Sequence, residues 1–149
     1  MNVRWLGCLG IVAVAPLLAS GGCGKGGPAL IPVTGTVTLD GRPLEGVNVT
    51  FMPVAGSEAE GGIGVTDASG KYEIQQFRGT GKGTAAGEYR VTISKLVMAD
   101  GSPIPADKSA AELQTKDLLP AKYSDLGATT LTATVKEGGQ PINFDLQSK

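Results

Sequence analysis

The clearest structural signal in the sequence is the stretch Val33-Thr34-Gly35-Thr36-Val37-Thr38-Leu39-Asp40-Gly41. Its large apolar residues share one face of an extended chain, and its threonines share the other. This period of two, rich in β-branched residues, is typical of a half-buried strand. Asp40-Gly41 has the chemistry of a turn, because both residue types tolerate turn backbone conformations, and it predicts the end of that strand.

Six further segments show the same alternation. They are residues 47–51, 63–65, 72–74, 88–95, 131–135 and 142–146. Each is expected to bury one apolar face, and two sheets bury such faces by packing together. The last two are expected to form a hairpin around Gly138-Gly139. The sequence therefore predicts an all-β fold, a single Greek-key β-sandwich of about seven strands.

Residues 96–128 lack strand alternation, so we expect one long irregular loop before the last two strands. Within it, Ser109-Ala110-Ala111-Glu112 has the form of a capping box, which predicts one or two helical turns. The end of the loop, residues 118–125, is apolar enough to pack on the sandwich. Two roles are open for it: covering an edge of the core, or presenting a binding surface.

The first residues have the pattern of a targeting signal. Arg4 precedes an apolar run of 15 residues, 5–19, which is shorter than the roughly 20 that a spanning helix needs. Small residues follow, up to Cys23. We therefore expect residues 1–22 to be a signal peptide that is removed from the mature chain.

The ending Gly21-Gly22-Cys23 resembles the lipobox of bacterial lipoproteins. The resemblance implies that Cys23 carries a diacylglyceryl group and becomes the first residue, followed by a flexible tether over 23–32 and a folded domain over 33–149. Cys8 is lost with the signal, so no disulfide within the mature chain is expected. The alternative is ordinary secretion, with cleavage near Ala19-Ser20-Gly21 and a free thiol at Cys23.

The run 33–51 looks like the opening of carboxypeptidase regulatory-like domains, and residues 66–72 and 86–91 resemble the next two blocks of that pattern. Leu119-Pro120-Ala121-Lys122-Tyr123-Ser124 is similar to a segment of small bacterial lipoproteins with this domain. The resemblance implies a β-sandwich of the transthyretin (prealbumin) type. It implies little about function, because the matched residues are turn and core positions.

Several classes of chemistry are disfavoured by composition. Histidine is absent from the 149 residues, which removes the commonest general base and the commonest metal ligand. A formal net charge of −1 argues against nucleic acid as a partner. We therefore expect no catalytic residue, no metal and no cofactor. Asp67 with Ser69 could offer oxygen ligands to calcium, but a carboxylate bonded to its own turn is the favoured interpretation.

Two aromatic residues outside the signal, Phe77 and Tyr123, are expected at the surface, and with Lys122 they form the candidate interaction surface. We expect an exported, membrane-anchored, non-catalytic lipoprotein of the cell envelope with a structural role or a protein or glycan partner. The alternative is a small-ligand or glycan-binding module serving an exported enzyme system. An apolar patch around Tyr123 favours the first, and a concave pocket favours the second.

Overall fold

The computed structural model of the protein describes residues 28–56, 59–105 and 107–149. The predicted signal peptide, residues 1–22, and the predicted lipidation site, Cys23, lie outside these residues. Within the described ranges, no helix combines the length and the hydropathy that crossing a bilayer requires.

The described residues form eleven strands, one turn of 3-10 helix at Ala110–Glu112 and one short helix, α1, at Ala121–Ser124. The strands are β1 (Thr34–Leu39), β2 (Arg42–Pro43), β3 (Asn48–Pro53), β4 (Gly62–Val65), β5 (Lys71–Glu73), β6 (Gln75–Gln76), β7 (Gly87–Ser94), β8 (Leu96–Met98), β9 (Thr115–Asp117), β10 (Thr132–Val135) and β11 (Phe144–Leu146). The all-β prediction is confirmed. Each of the seven predicted strands overlaps one of these, and β2, β6, β8 and β9 are short additions.

Two larger sheets carry the fold. The five-stranded sheet has the order β10-β7-β3-β4-β6, with antiparallel neighbours throughout. The four-stranded sheet has the order β11-β1-β2, and β5 also pairs with β1. In this second sheet β11 runs parallel to β1, whereas β2 and β5 are antiparallel to it. A separate hairpin joins β8 and β9.

The core lies between the two larger sheets. Phe51 and Tyr89 come from the five-stranded sheet, and Tyr72 and Phe144 come from the four-stranded sheet. The Phe51 ring centroid is 6.4 Å from that of Tyr72, 6.4 Å from that of Phe144 and 5.8 Å from that of Tyr89. Aromatic rings at such separations attract each other beyond the burial of their surface. The two sheets therefore bury their apolar faces against each other, as in a sandwich.

Alternation predicts the buried face of every long strand but fails in β4. Gly62 and Gly64 point into the core there, while Ile63 and Val65 are exposed. A Cβ on Gly62 would lie 2.5 Å from a methyl group of Ile74 and 2.6 Å from the Gln75 carbonyl oxygen. Only glycine fits that close approach, so the apolar residues of β4 face outward.

The expected hairpin between the last two strands is wrong. β10 pairs with β7, with Ala133 opposite Tyr89, and belongs to the five-stranded sheet. β11 pairs with β1, with Phe144 opposite Val37, and belongs to the other sheet. The Gly138-Gly139 turn is present, with positive φ at both residues, but it carries the chain from one sheet to the other.

The segment 96–128 is also more regular than predicted, because β8 and β9 pair within it. The capping box is confirmed: the Ser109 hydroxyl accepts from the Ala111 amide at 3.3 Å, and the Glu112 carboxylate accepts from the Ser109 amide at 3.2 Å. The helix that follows it is a single 3-10 turn. The predicted packing on the sandwich is made by Leu119, which joins the core cluster.

Among the described residues, contact with the sandwich core begins at Ile31, two residues before the predicted domain boundary. Ile31, which the sequence placed in the tether, is buried and forms a β-bridge with Thr84. Its amide donates to the Thr84 carbonyl at 2.8 Å, and its carbonyl accepts from the Thr84 amide at 3.0 Å. The chain therefore enters the sandwich at Ile31.

The strand registers define two ends of the molecule. At one end, Pro53 pairs with Tyr89, Gly62 with Gln76, and Val135 with Gly87. Thr84, the bridge partner of Ile31, lies three positions before the start of β7 at this end. We call it the Ile31 end. The opposite end, where Asn48 pairs with both Ser94 and Val65, is called the Ser94 end.

Candidate functional site

Lys122 and Tyr123 lie next to each other on α1 and hold the C-terminal segment. The Lys122 ammonium lies 4.9 Å from the centroid of the Tyr123 ring and donates to the Lys149 carbonyl at 2.8 Å. The Tyr123 hydroxyl accepts from the Gln147 amide at 3.2 Å. Tyr123 is half-buried against the core, so less of its ring is exposed than the sequence predicted.

Phe77 is exposed, as predicted, but it lies apart from this pair. It directly follows β6, at the Ile31 end, and its amide donates to the Gly61 carbonyl at 3.2 Å. The C-terminal segment that Lys122 and Tyr123 contact follows β11, which runs parallel to β1 and therefore ends away from Ile31. The three candidate residues thus do not form one site.

A concave groove of about 580 Å³ with polar walls lies over the outer face of the four-stranded sheet. We call it the β1–β5 groove. Its principal lining residues are Thr34, Thr36, Lys71, Glu73, Pro141 and Asn143. The alternation that buries Val33 and Val37 turns the threonines of β1 toward this face. The walls therefore offer hydroxyl, amide, ammonium and carboxylate groups.

Asn143 is fixed within the groove by β1. Its side-chain oxygen accepts from the Thr36 amide and from the Thr36 hydroxyl, both at 3.0 Å. Asn143 is exposed, on the side of β11 opposite the buried Phe144. The groove itself was missed, although its signal was present in the outward threonines and this asparagine. The local sequence pattern does not predict the strand pairing that brings residues 34–36, 71–73 and 141–143 side by side.

The predicted turn role of Asp67 is confirmed. One oxygen of its carboxylate accepts from the Ser69 hydroxyl at 2.7 Å, the Ser69 amide at 2.8 Å and the Lys71 amide at 3.0 Å. The Ser69 hydroxyl and then the Lys71 amide hold the pKa of Asp67 below its usual value. Since bonds to its own turn occupy this oxygen, Asp67 is poorly placed for calcium. The residues described hold no cluster of three or more His, Cys, Asp or Glu suited to a metal ion.

Two lysines that could serve as bases, Lys95 and Lys82, are bonded to backbone or carboxylate oxygens. The Lys95 ammonium donates to the Glu45 carbonyl at 2.7 Å, beyond the end of β7. Lys82, in the glycine-rich loop 79–84 between β6 and β7, forms an exposed ion pair with Glu73 at 2.9 Å. In these contacts neither lysine bonds to a serine or threonine hydroxyl, so neither activates such a hydroxyl as a nucleophile.

Comparison with known proteins gives no family. No protein-family model matches the chain, and no curated protein matches it. Among solved structures, it shows 16% identity to a 9R-lipoxygenase from Cyanothece with a TM-score of 0.34. That match covers 79% of this chain and 16% of the length of the lipoxygenase. A similarity at this TM-score carries no argument about fold or activity.

Proposed function

We propose that the protein is an exported lipoprotein of the cell envelope, held to a membrane by lipid on Cys23 and acting as a non-catalytic interaction or structural module. The observation that carries this proposal is the apolar run 5–19 followed by Gly21-Gly22-Cys23. A single acyl chain anchors only marginally, whereas two or more chains hold a protein firmly. A diacylglyceryl cysteine would therefore fix the domain to its membrane.

The point at which the chain enters the sandwich supports this arrangement. Ile31 is the first buried residue of those described and lies eight positions after Cys23. Eight residues extend at most about 28 Å, at 3.3–3.6 Å each. The domain would therefore work close to the membrane surface.

A non-catalytic role is supported by the chemistry of the chain. There is no histidine, and after removal of the signal the lone cysteine is the proposed lipid carrier. An interaction role is supported by the surface of segment 96–128, where three leucines are exposed: Leu96, Leu118 and Leu126. Exposed apolar side chains mark contact surfaces where they join into a patch, so these leucines are the residues to test for partner binding.

The anchor is tested by replacing Cys23 with serine in the full-length chain. We expect the wild type to partition into the detergent phase and Cys23→Ser to partition into the aqueous phase, because only the thiol can carry the diacylglyceryl group. Mass spectrometry of the N-terminal peptide should show the added lipid in the wild type alone. Cys8→Ser, which changes the other cysteine, is the matched control and should behave as wild type. Unchanged partitioning of Cys23→Ser would refute the anchor.

The domain family belongs to the same proposal. We infer that the sandwich is a carboxypeptidase regulatory-like domain with the transthyretin-like Greek-key topology. Its support is the position of the matched turn residues: Asp40-Gly41 directly follows β1, and Asp67–Gly70 directly precedes β5. These are the places where the resemblance expects turns.

The β1–β5 groove favours a second candidate function, a module that binds a polar small ligand or a glycan. Its hydroxyl, amide and charged groups could bond to several sugar hydroxyls. The exposed Lys71 is the residue to test, because it lines the groove outside the hydrogen bonds of Asn143. If the groove binds sugars, Lys71→Ala should weaken glycan binding in an array, and Lys116→Ala on β9 should not. Equal binding by both variants would exclude the groove.

A further inference from the structure

Three large apolar side chains are exposed at the Ile31 end. Phe77 is 48% exposed, Val54 is 45% exposed and Leu30 is 37% exposed. Phe77 also lines a shallow concavity of about 330 Å³ with Met52 and Pro53. All three lie at the Ile31 end, and we call this part of the surface the apolar end.

Backbone pairing places all three at the same end of the molecule. Phe77 follows β6, and its amide bonds to Gly61 at the start of β4. Val54 follows β3, and its amide donates to the Glu88 carbonyl near the start of β7, at 3.2 Å. Leu30 precedes the bridge residue Ile31 and packs near Gly81, in the loop after Phe77. The apolar end therefore lies at the end of the sandwich where the chain enters the domain.

The distance from Cys23 limits which end can reach a membrane. The eight positions between Cys23 and Ile31 extend at most about 28 Å. β7 alone, with eight residues, spans roughly 26 Å from the Ile31 end toward the Ser94 end. The loops beyond Ser94 add to that length. A lipid on Cys23 thus brings the apolar end to the bilayer before the Ser94 end can reach it.

The described residues of the apolar end carry no excess of basic charge. Among the described residues there, Arg78 and Lys136 are exposed, and so are Glu60, Glu88 and Glu137. Lys82 is paired with Glu73. Electrostatic attraction to anionic lipid needs an excess of basic residues near the surface. Contact at this end would depend on the apolar side chains and would be nearly independent of lipid charge.

We propose that the apolar end is a membrane-docking surface, on which Phe77, Val54 and Leu30 contact the interface of the same bilayer that holds Cys23. This inference rests on the proposed lipidation of Cys23. To that proposal it adds the orientation of the domain. The apolar end contacts the membrane, and the Ser94 end, with segment 96–128, faces away from it.

The mature chain offers a direct test because it holds no tryptophan: the lone tryptophan of the sequence, Trp5, lies in the proposed signal peptide. Phe77→Trp places a reporter on the apolar end. Leu118→Trp is the matched control, since Leu118 is equally exposed at 48% and its amide bonds to Lys95 just beyond Ser94. Each full-length variant is expressed, processed and reconstituted in phosphatidylcholine vesicles whose acyl chains carry bromine.

We expect bromine to quench the Phe77→Trp emission at least about twofold more than the Leu118→Trp emission, since side chains of interfacial proteins reach about 5–10 Å into the headgroup boundary. The Phe77→Trp emission should also shift to the blue, and adding anionic lipid should change neither result. Equal quenching of the two tryptophans in lipid-held protein would overturn the proposal. Leu30→Trp serves as a second reporter if Phe77→Trp does not fold.

Separate measurements distinguish a failure of the lipid anchor from a failure of the docking surface. The N-terminal mass reports whether Cys23 carries lipid, and an unmodified thiol would refute the proposed function. That thiol, the single cysteine of the mature chain, can then be coupled to a maleimide phospholipid in the same vesicles. Greater quenching of Phe77→Trp in the coupled protein would support the docking surface, and equal quenching would again overturn it.

Discussion

The sandwich and segment 96–128 are built in different ways. In the sandwich, each long strand buries every second side chain, and Phe51, Tyr89 and Val91 are fully enclosed. Of the described residues in segment 96–128, two hydrophobic side chains are buried, Val97 and Leu119. The remainder is held by the half-buried Tyr123, the β8–β9 pairing, the capping box and a few hydrogen bonds.

This difference indicates where stability lies in the molecule. Regions with many buried apolar contacts open only with global unfolding, whereas regions with few such contacts open locally. The sandwich should therefore behave as one cooperative unit. Segment 96–128 should open more readily, with Leu119 as its main attachment. Three substitutions test the comparison.

The largest effect is expected for Tyr89→Ala in the sandwich. The Tyr89 ring is fully buried against Phe51, and truncation of a core aromatic costs about 3–5 kcal/mol. Urea unfolding measures the change. Tyr89→Phe is the control, because it keeps the ring and loses the hydrogen bonds to Thr84 and Ala85, for about 1 kcal/mol. A Tyr89→Ala loss below that of Tyr89→Phe would mean that the assigned core is wrong.

A smaller effect is expected for Leu119→Ala in segment 96–128. Leu119 is buried in the core cluster, and we expect a loss of about 2–3 kcal/mol, at the low end for buried leucines. Limited proteolysis within residues 99–114 should accelerate, because the segment loses its attachment. Leu118→Ala, which removes an exposed side chain, should change stability by less than about 0.5 kcal/mol. Similar losses of stability for Leu119→Ala and Leu118→Ala would show that Leu119 is not the attachment of the segment to the core.

The smallest effect is expected for Tyr72→Phe and depends on pH. The Tyr72 hydroxyl donates to the Ile142 carbonyl at 2.6 Å, so its loss should cost about 1 kcal/mol at neutral pH. Burial raises the pKa of Tyr72 above its ordinary value of 10. The folded state therefore resists ionisation, and the resulting stability is complete below pH 10 and is lost as pH rises further.

Tyr72→Phe should consequently lose less stability than wild type above pH 10. Urea unfolding at neutral pH and at several alkaline values measures the difference between the two proteins. Tyr89, whose pKa burial also raises, is present in both and cancels in that difference. Parallel stability curves for the two proteins would show that Tyr72 does not contribute to alkaline unfolding.

The sequence predicts the long strands well because their signal is local. In β1 and β7, the period-two alternation of apolar and polar residues predicts which side chains are buried. The buried face of β4 is predicted wrongly because the space at its inward positions is limited by Ile74 and the Gln75 backbone. These residues lie about ten positions further along the chain, so the local pattern of β4 does not show them. The last hairpin is misread for a similar reason: Gly138-Gly139 does turn the chain, but which strand pairs with which is decided by the whole core.

The candidate site shows the same limit. Phe77, Lys122 and Tyr123 were expected to form one interaction surface, although only Lys122 and Tyr123 are adjacent in the sequence. The position of Phe77 at the other end depends on the register of β4 against β6, and no local pattern reveals that register. The three-residue strands β8 and β9 are too short to display alternation, so the sequence shows only a loop there.

The parallel pairing of β11 with β1 also sets the order in which the four-stranded sheet can form. Thr36 and Asn143 are bonded although they lie 107 positions apart in the sequence, and β11 is the last strand of the described residues. Chains are synthesised from the N-terminus, so this sheet stays incomplete until β11 has been delivered. Under the proposed export, the late completion of the sheet would suit the passage of an incompletely folded chain through a narrow translocation pore.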